Sequence, residues 1–540
     1  MSNVLLIIPR YDVTKSNKKD YSYQSPVGLG YICATLRKEE YKVDCLNLNH
    51  SDKGLAELIH GALKKRKYDF VCTGHLGVGY PVIEKIINAV KSYNPNQAVI
   101  VGGPIISSEP EFMAENLKFD FGVVGEGEVT IIELLDFIKK NKDVSKVKGI
   151  VYKGKSGKII RTSPRERIED LDTIPFPDYS DFGLNEKMDN MYSIDSLYGT
   201  MDHPRTYFMI GSRGCPFQCT FCYQSLGQKY KTRSVKNIIK ELEFAIDKYR
   251  ANSFHMYDDL FSVNKERLYD FCKEVKKLNK RRNVNLRWVC SLWVSTVDEE
   301  LLKFLKDSGC TGICFGFESY SKKVLKSMKK SITPEQIDNA MKACMKVHMP
   351  IIANFIFGDV TETKETAKET LDYWKEHCND QAKLFFIHAY PGSEIYNHCI
   401  RKGLIKDKLD FIRNKIPHTF FMNMTDKMTD KEFEDLKKEI YRLKVKHGNY
   451  VVPFKVKKTD KKDVYNLSVK CPFCKQTSTH KNNYFSNRFF YRFHVHCRNC
   501  GMRYHLVSKV YKFTMDHYVE LDFFRRNYLE YRGMLLRKKI

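Results

Sequence analysis

The chain has 540 residues, with 91 lysine and arginine side chains against 65 aspartate and glutamate side chains, and so a net charge of +26. A hydrophobic fraction of 42% is enough to bury large cores, which excludes a disordered or fibrous protein. The charge by itself does not choose between a nucleic-acid partner, an anionic ligand and a solvated surface.

The cysteines and the first residues of the chain indicate its compartment. The apolar segment at residues 4–9 has no basic leader before it, and it therefore predicts a core strand instead of a signal peptide. Without a signal peptide, 17 cysteines favour a reducing, cytoplasmic compartment over a disulfide framework. Most of these cysteines lie singly in apolar stretches, and the others fall into two clusters.

Short apolar segments alternate with helical patterns in the first third of the chain. Near-continuous apolar strands separated by helices predict a parallel sheet that is covered on both faces. We therefore expect a flavodoxin-like, doubly wound α/β domain over residues 1–145, which would bind ligands beyond the carboxyl ends of its strands. The predicted strands are residues 4–9, 42–48, 69–74, 98–103 and 119–125.

Glycines gather at the carboxyl ends of the third, fourth and fifth predicted strands. Glycine allows a backbone to approach a ligand closely, although the same residues also serve simply to turn the chain. No G-x-G-x-x-G motif opens the first helix, which argues against a dinucleotide site. The candidate ligand contacts at this edge are Thr73, Gly74, Gly102, Gly103, Gly125 and Glu126.

The alternation of strands and helices repeats over residues 206–390, after a connector at residues 146–200. It predicts a partial, TIM-like (β/α)6 barrel with its closing helices over residues 201–450, and it places the chemistry at the carboxyl ends of the strands. The predicted strands are residues 206–211, 253–258, 286–292, 312–317, 351–357 and 383–389.

The first barrel strand leads into the loop GSRGCPFQCTFC, which holds Cys215, Cys219 and Cys222 in a C-x3-C-x2-C pattern. Cubane iron–sulfur clusters usually take four thiolates, so a cluster on three thiolates would keep one iron open to a small molecule. The spacing alone leaves two alternatives open, namely zinc bound by the three thiolates and a water, and chemically inert thiols.

At this point the sequence resembles a known family, the radical S-adenosylmethionine (SAM) enzymes, and more closely their subclass with an N-terminal cobalamin-binding domain. The resemblance covers about residues 1–445, and it includes the segments IPFPD, SFHMYDDLF, FGFES, FIFG and AYPGS. It implies that Cys215, Cys219 and Cys222 ligate a [4Fe-4S] cluster whose open iron binds SAM. It further implies SAM contacts from Phe221, Asp258, Asp259, Glu318, Ser319 and Gly358.

The resemblance also implies a function. The glycine-rich edge of the first domain would bind cobalamin, although it lacks the D-x-H-x-x-G motif that supplies an axial histidine in other cobalamin proteins. A 5′-deoxyadenosyl radical would abstract hydrogen from an unactivated carbon, and methylcobalamin would deliver the methyl group. The expected partners are a small-molecule or biosynthetic-intermediate substrate and an electron donor such as flavodoxin or ferredoxin. The alternatives are a cyclase or oxidoreductase that transfers no methyl group, and an RNA-modifying radical SAM enzyme.

The last part of the chain carries a second metal-binding pattern. Residues 451–466 are polar and basic and predict a linker, and residues 467–540 predict a small zinc-ribbon-like domain with a basic tail. Two C-x2-C knuckles fix four thiolates around one metal, either zinc or a rubredoxin-like iron. The basic and aromatic residues near the knuckles would also suit contact with a nucleic acid. The four predicted ligands are Cys471, Cys474, Cys497 and Cys500.

Overall fold

The chain folds into a first α/β domain, a barrel and a C-terminal module. Within the described residues, no helix combines the length and the hydropathy that are needed to cross a membrane. The predicted basic tail, residues 518–540, lies outside the described residues. The computed structural model describes residues 2–10, 23, 25–190, 201–261, 263–418 and 420–517.

The first domain is built on one seven-stranded sheet. Its strands are β1 (Asn3–Ile8), β2 (Lys42–Asn47), β3 (Phe70–Gly74), β4 (Ala98–Gly102), β5 (Phe121–Val123), β6 (Ile150–Lys153) and β7 (Ile159–Arg161). They lie in the order β2-β1-β3-β4-β5-β6-β7, and the first five run parallel. The order of those five is that of flavodoxin-like domains, which confirms the predicted fold class.

Strands β6 and β7 are not predicted from the sequence, and they extend the sheet beyond the expected end of the domain at residue 145. Both run antiparallel, and the turn between them is closed by the Gly157 amide, which donates to the Gly154 carbonyl. They are only four and three residues long, which is too short for an alternation of apolar and polar residues to identify them.

Helices cover both faces of this sheet. Helices α1 and α6 pack together on one face and α2 and α3 on the other, and each pair shares its apolar core with residues of the barrel region. The helices of the domain are α1 (Val27–Lys38), α2 (Leu55–Lys65), α3 (Tyr80–Tyr93), α4 (Pro104–Ser108), α5 (Pro110–Asn116) and α6 (Gly127–Lys139).

The barrel is an open six-stranded parallel sheet, and each of its strands coincides with a predicted one. Its strands are β8 (Thr206–Met209), β11 (Ser253–Met256), β12 (Arg287–Ser291), β13 (Cys310–Glu318), β14 (Ile351–Phe357) and β15 (Ala382–Phe386). They lie side by side in chain order, so β8 and β15 form the two edges. A separate ladder consists of β9 (Ser212–Arg213) and β10 (Lys231–Thr232).

The barrel helices begin at caps that the sequence predicts. Thr333 with Gln336 and Thr429 with Glu432 form complete capping boxes, in which each side chain accepts from the other residue's amide. The helices are α7 (Leu184–Asn190) in the connector, then α8 (Val235–Tyr249), α9 (Lys265–Arg282), α10 (Glu299–Asp307), α11 (Lys322–Ser327), α12 (Pro334–Lys346), α13 (Lys364–His377), α14 (Glu394–Arg401), α15 (Lys408–Asp410) and α16 (Asp430–Lys446).

The connector joins the two domains through a buried tyrosine. Tyr179 is 1% exposed, its hydroxyl donates to the Phe208 carbonyl of β8, and its amide donates to the Tyr249 hydroxyl. A Cβ at Gly30 of α1 would lie 2.5 Å from the Tyr179 ring, so only glycine allows the helix to pack this closely. The first domain and the barrel therefore share one continuous apolar core.

The C-terminal module contains two three-stranded sheets, β16-β21-β20 and β17-β18-β19. Residues 451–466, which are predicted to be a linker, contribute strands to both sheets instead. The lysine-rich β17 is an exposed edge strand, which is why its composition resembles that of a linker. The elements are β16 (Tyr450–Val451), β17 (Lys455–Lys458), β18 (Val464–Lys470), β19 (Thr477–Tyr484), β20 (Arg492–His496), β21 (Arg503–Val507) and α17 (Lys509–Asp516).

Candidate active site

The cysteine loop is closed at its base by the β9–β10 ladder, so residues 214–230 form one loop beyond the carboxyl end of β8. Gly214 starts the loop with a φ of +81°, and a Cβ there would lie 2.6 Å from the Lys229 carbonyl oxygen. Glycine is therefore required where the two ends of the loop meet. The Cys215 amide donates to the Gly227 carbonyl at 3.3 Å, which ties the first cysteine to the far side of the loop.

The three thiols of the loop are shielded from water to different degrees. Cys215 and Cys219 are half-buried residues, and Cys222 is an exposed residue whose thiol is nevertheless largely desolvated. Burial, together with the charges of Asp259 and the neighbouring thiolates, raises the pKa of Cys222 to about 12. Burial also raises the pKa of the other two thiols. A metal centre on the loop would offset this cost, because coordination deprotonates a thiol outright.

The loop rests on the ends of several barrel strands. The Phe217 ring stacks on Trp293, which follows β12, with a centroid separation of 3.7 Å. The Thr220 amide donates to the Met328 carbonyl, and the Thr220 carbonyl accepts from the Ile395 amide of α14. The three sulfur atoms do not gather within 4.8 Å of one another, as the ligands of a single ion would. The thiolates of a cluster bind separate irons and so do not need to meet around one ion.

Glu318 ends β13 beside a lysine that sequence patterns do not identify. The Lys330 ammonium donates to the Glu318 carboxylate at 3.1 Å, and both side chains are about nine-tenths buried. Burial lowers the pKa of Lys330, but Glu318 and the thiolates of Cys219 and Cys215 outweigh it and raise that pKa. A cation thus faces the cysteine loop from the segment between α11 and α12. A single lysine in a chain with 91 basic residues carries no sequence signal.

The two aspartates that follow β11 have different surroundings. Asp258 accepts from the Gly211 amide at 3.1 Å and from the Ser212 hydroxyl at 2.5 Å, so it anchors the start of the cysteine loop. Burial raises the pKa of Asp258 to about 6 against these hydrogen bonds, and burial also raises the pKa of Asp259. Asp259 lies near enough to Cys215 and Cys222 to raise their pKa values.

The remaining predicted SAM residues lie at the ends of β13 and β14 or on the loop. Ser319 is 1% exposed, and its hydroxyl forms a hydrogen bond with the Thr370 hydroxyl of α13. The Gly358 amide donates to the carboxylate of Glu362 at 2.5 Å. Phe221 is half-buried and packs against the apolar core of the first domain. Their contacts with SAM stay a prediction.

Glu362 is a fully buried carboxyl group, and it makes the fold sensitive to pH. Burial raises its pKa from 4.5 to about 8, although the Gly358 amide lowers it. A raised pKa stabilises the fold at low pH, and this stability is lost as the pH rises from about 4.5 towards 8. In the original protein, this group should make the free energy of unfolding fall by about 1.4 kcal/mol for each pH unit of rise. In the Glu362→Gln variant, which mimics the neutral form, this contribution to the pH dependence should be absent.

Urea titrations of the full chain between pH 5 and pH 8 would measure this slope. Glu369→Gln is the matched control, because Glu369 lies on α13 with an exposed side chain. The control should keep the slope of the original protein. An unchanged slope in the Glu362→Gln variant would show that the buried carboxyl is charged throughout this range.

A cavity of about 410 Å³ lies between the first domain and the barrel. Its barrel side includes Gly214 of the cysteine loop together with Asp258 and Asp259. Several predicted site residues do not belong to its lining, namely Cys215, Cys219, Cys222, Phe221, Glu318, Ser319 and Gly358. On the first domain, all of the predicted cobalamin contacts line this cavity, namely Thr73, Gly74, Gly102, Gly103, Gly125 and Glu126.

The glycine-rich edge forms a shallow cradle. A Cβ at Gly74 would lie 2.6 Å from the Gly102 carbonyl oxygen, and Gly103 and Gly125 have φ values of +88° and +81°. The neighbouring Thr73 hydroxyl donates to the Ile7 carbonyl, so this side chain is held by the sheet. A backbone surface without side chains, at a carboxyl edge of the sheet, fits a large planar cofactor. Contact of these residues with cobalamin stays a prediction.

A buried ion pair crosses the wall of the cavity. Arg213 of β9 donates to the Glu126 carboxylate at 2.9 Å and to the Glu128 carboxylate at 2.5 Å, and each side chain is less than one-tenth exposed. The other oxygen of Glu126 accepts from the Ile168 amide of the connector at 2.8 Å. Glu126 therefore lines the cavity with its carboxylate already engaged. Arg213 directly precedes the cysteine loop, so this ion pair links the first domain to the start of that loop.

The C-terminal cysteines form a separate group. Cys471, Cys474, Cys497 and Cys500 bring their sulfur atoms within 4.8 Å of one another, and they are the one such set of cysteine, histidine or acidic ligands among the described residues. Two of the arginines near this group are engaged elsewhere in the chain. Arg498 pairs with Asp202 at 2.5 Å, and the Arg503 guanidinium donates to the Asp380 carbonyl.

Comparison with known proteins identifies two segments. Residues 209–373 match the Radical SAM superfamily, and residues 18–135 match the B12 binding domain. The uncharacterized methyltransferase PH0819 of Pyrococcus horikoshii is 30% identical over 385 residues, which cover 70% of this chain and 79% of that protein. The anaerobic magnesium-protoporphyrin IX monomethyl ester cyclase of Rubrivivax gelatinosus is 26% identical over 398 residues, which cover 72% and 69%.

A solved structure has the same fold over most of the chain. The radical S-adenosylmethionine methyltransferase TsrM from Kitasatospora setae, with cobalamin and a [4Fe-4S] cluster bound, aligns with a TM-score of 0.60 at 18% identity. The alignment covers 75% of this chain and 76% of that one. The C-terminal module at residues 450–517 lies outside both matched family segments.

Proposed function

Because the chain belongs to the radical SAM enzymes that carry a B12-binding domain, we propose that it methylates an unactivated carbon of a small-molecule substrate. Its cofactors are a [4Fe-4S] cluster, SAM and cobalamin. When bound, the cluster and SAM supply a carbon radical, and cobalamin supplies the methyl group. Cys215, Cys219 and Cys222 would hold the cluster, and the glycine cradle would hold cobalamin.

The observation that supports this proposal is the shared cavity. The cysteine loop and Asp258 and Asp259 approach it from the barrel, and the glycine-rich strand ends approach it from the first domain. A substrate between them would be reached from both sides. Most of the surface that lines the cavity is apolar, which would limit the access of water to a reactive carbon.

The ion pair of Lys330 with Glu318, beside the cysteine loop, would bind the charged groups of SAM. SAM carries a carboxylate and an ammonium group, and Lys330 and Glu318 offer the opposite charges at one strand end. These two side chains would orient SAM against the cluster. We propose that an external electron donor such as flavodoxin or ferredoxin approaches from the side of Cys222, because this residue is exposed.

Labelled SAM tests methyl transfer directly. The reconstituted enzyme would be incubated without oxygen with SAM that carries a labelled methyl group, cobalamin, a reductant and a metabolite extract from cells lacking the enzyme. We expect label in one product, with one 5′-deoxyadenosine and one S-adenosylhomocysteine formed per methylated molecule. An enzyme heated before the assay is the control.

The outcomes separate methyl transfer from other radical chemistry. 5′-Deoxyadenosine without S-adenosylhomocysteine or labelled product would contradict methylation and favour a reaction that transfers no methyl group. That second function, a cyclase or oxidoreductase, is supported by the similarity to the cyclase of Rubrivivax gelatinosus. Its substrate would become oxidised or ring-closed and would carry no label.

A further inference from the structure

The four C-terminal cysteines have the geometry of a metal site. The sulfur atoms of Cys471 and Cys500 lie 3.7 Å apart, and those of Cys474 and Cys497 lie 3.6 Å apart. Four thiolates at about 2.3 Å from a zinc ion have sulfur atoms about 3.8 Å apart along each edge of the tetrahedron. The observed separations are much longer than the bond of a disulfide, about 2.05 Å. The four thiols are therefore arranged around a common centre.

The two knuckles that carry these cysteines have the same backbone conformation. The Lys475 amide donates to the Cys471 carbonyl, and the Gly501 amide donates to the Cys497 carbonyl in the same register. Lys475 and Gly501 both have a positive φ, at +61° and +69°. A lysine in this conformation is strained, so the turn is maintained by its surroundings. Two matching turns that face each other are expected when both hold one ion.

We propose that these four thiolates bind one structural zinc ion, and that this ion maintains the module that closes the amino-terminal edge of the barrel sheet. All four ligand positions of a tetrahedral ion would be occupied by sulfur, which leaves no place for water or substrate. The module at residues 450–517 is below the size, about 70–80 residues, at which a hydrophobic core alone supplies much stability. Cys471, Cys497 and Cys500 are themselves buried in its small core.

The module contacts the barrel through residues that precede β15. The Gln381 side chain accepts from the Arg503 amide at 2.6 Å and donates to the Arg503 carbonyl at 3.0 Å. The Asp380 carboxylate accepts from the His505 ring at 2.8 Å, and both side chains are less than one-tenth exposed. These contacts come from β21, the strand that follows the second knuckle. The position of the second knuckle thus determines the position of the docking strand.

Further contacts come from both halves of the module. Arg498 lies between Cys497 and Cys500 and donates to Asp202, which lies ahead of β8. The Asn482 side chain of β19 donates to the Asp202 carbonyl at 3.2 Å. A Cβ at Gly501 would lie 2.5 Å from the His348 carbonyl oxygen, ahead of β14. The module therefore spans the starts of β8, β14 and β15.

This location separates the four-cysteine site from the radical chemistry. Because the barrel strands run parallel, all of their starts lie at one edge of the sheet and the cysteine loop lies beyond the other edge. The five residues of β15 alone span about 16 Å at about 3.3 Å per residue. An ion here supports the fold beneath the active site and takes no part in electron transfer to the cluster. Zinc, which has no redox chemistry, suits this role.

Metal analysis of a variant that lacks the cluster tests the identity of the ion. Replacing Cys215, Cys219 and Cys222 together by alanine removes the cluster ligands, so any metal that remains belongs elsewhere. We expect about one zinc ion per chain in this variant, and about one zinc beside about four irons in the original protein. One iron per chain in the variant, or disulfides without metal, would overturn the proposal.

Replacement of a ligand tests the structural role. In the full chain, Cys500→Ser should lose the zinc, and trypsin should then cleave at the lysines of β17 roughly tenfold faster, because the ladder that holds this exposed strand against β18 opens more often. Cys45→Ser is the matched control, because Cys45 is a half-buried cysteine of the first domain, and it should keep both properties. If Cys500→Ser does not accumulate, a thiol-blocking reagent can release the zinc from the original protein instead. Trypsin cleavage before and after this release then compares the module with and without its metal. Unchanged trypsin cleavage after loss of zinc would overturn the structural role.

Discussion

The Cys219→Ala variant is expected to lose its iron–sulfur cluster and, with it, all cleavage of SAM. Cys219 is the middle thiol of the loop, and only three thiolates are available there to begin with. Two thiolates cannot hold a cluster firmly, because each iron without a thiolate is open to solvent. Iron content after anaerobic reconstitution should fall from about four per chain to near zero, and 5′-deoxyadenosine should not be formed above background.

A cysteine elsewhere in the barrel gives the control for this prediction. Cys314→Ala removes a half-buried thiol from β13 without touching the loop, and it should retain iron and SAM cleavage. Zinc in the C-terminal module should be the same in both variants. Full SAM cleavage by the Cys219→Ala variant would mean that the loop does not hold the cluster, and the proposed chemistry would then have to be abandoned.

The Arg213→Met variant is expected to lower the free energy of unfolding by about 3–5 kcal/mol. Arg213 is the partner of two buried carboxylates, and its removal leaves Glu128 without a counter-ion and Glu126 with only the more distant guanidinium of Arg167, at 3.7 Å. Because Arg213 also joins the first domain to the start of the cysteine loop, the variant should retain less cobalamin after gel filtration. Urea titration measures the first effect, and visible absorption measures the second.

Two further variants separate the ion pair from general damage. Adding Glu128→Gln to the Arg213→Met variant should restore most of the stability, since Glu126 keeps Arg167 at 3.7 Å and no buried carboxylate then lacks a counter-ion. Arg161→Met breaks an exposed pair with Glu111 and should cost at most about 1 kcal/mol. Equal losses in the Arg213→Met and Arg161→Met variants would show that the buried pair does not support the domain boundary.

The fold follows from the sequence wherever burial is strong and repeated. The five parallel strands of the first domain and the six strands of the barrel are apolar on both faces, so their positions are visible as short apolar runs. The antiparallel pair β6 and β7 is too short to produce such a pattern. The exposed strand β17 is rich in lysine, and its pairing with β18 depends on a partner strand that the composition does not reveal.

The residues of the candidate site also differ in whether the sequence alone identifies them. Cys215, Cys219 and Cys222 are identified by spacing, since one loop carries all three ligands and the chemistry requires that spacing. Lys330 and Arg213 are single basic residues, and nothing in their local sequence distinguishes them from the many solvated ones. Lys330 contacts Glu318, which lies 12 residues earlier at the end of another element, and Arg213 contacts Glu126 and Glu128, which lie 87 and 85 residues away.

The sequence by itself determined the two α/β units, the cysteine loop and the four-cysteine module, because each depends on neighbours within a short stretch of chain. Only the tertiary structure decided that the glycine-rich edge and the cysteine loop line one cavity, and that the module lies at the opposite edge of the barrel sheet. Both arrangements depend on how separate elements pack. The packing is set by buried contacts between residues that are distant in sequence, such as Tyr179 with Phe208 and Gln381 with Arg503.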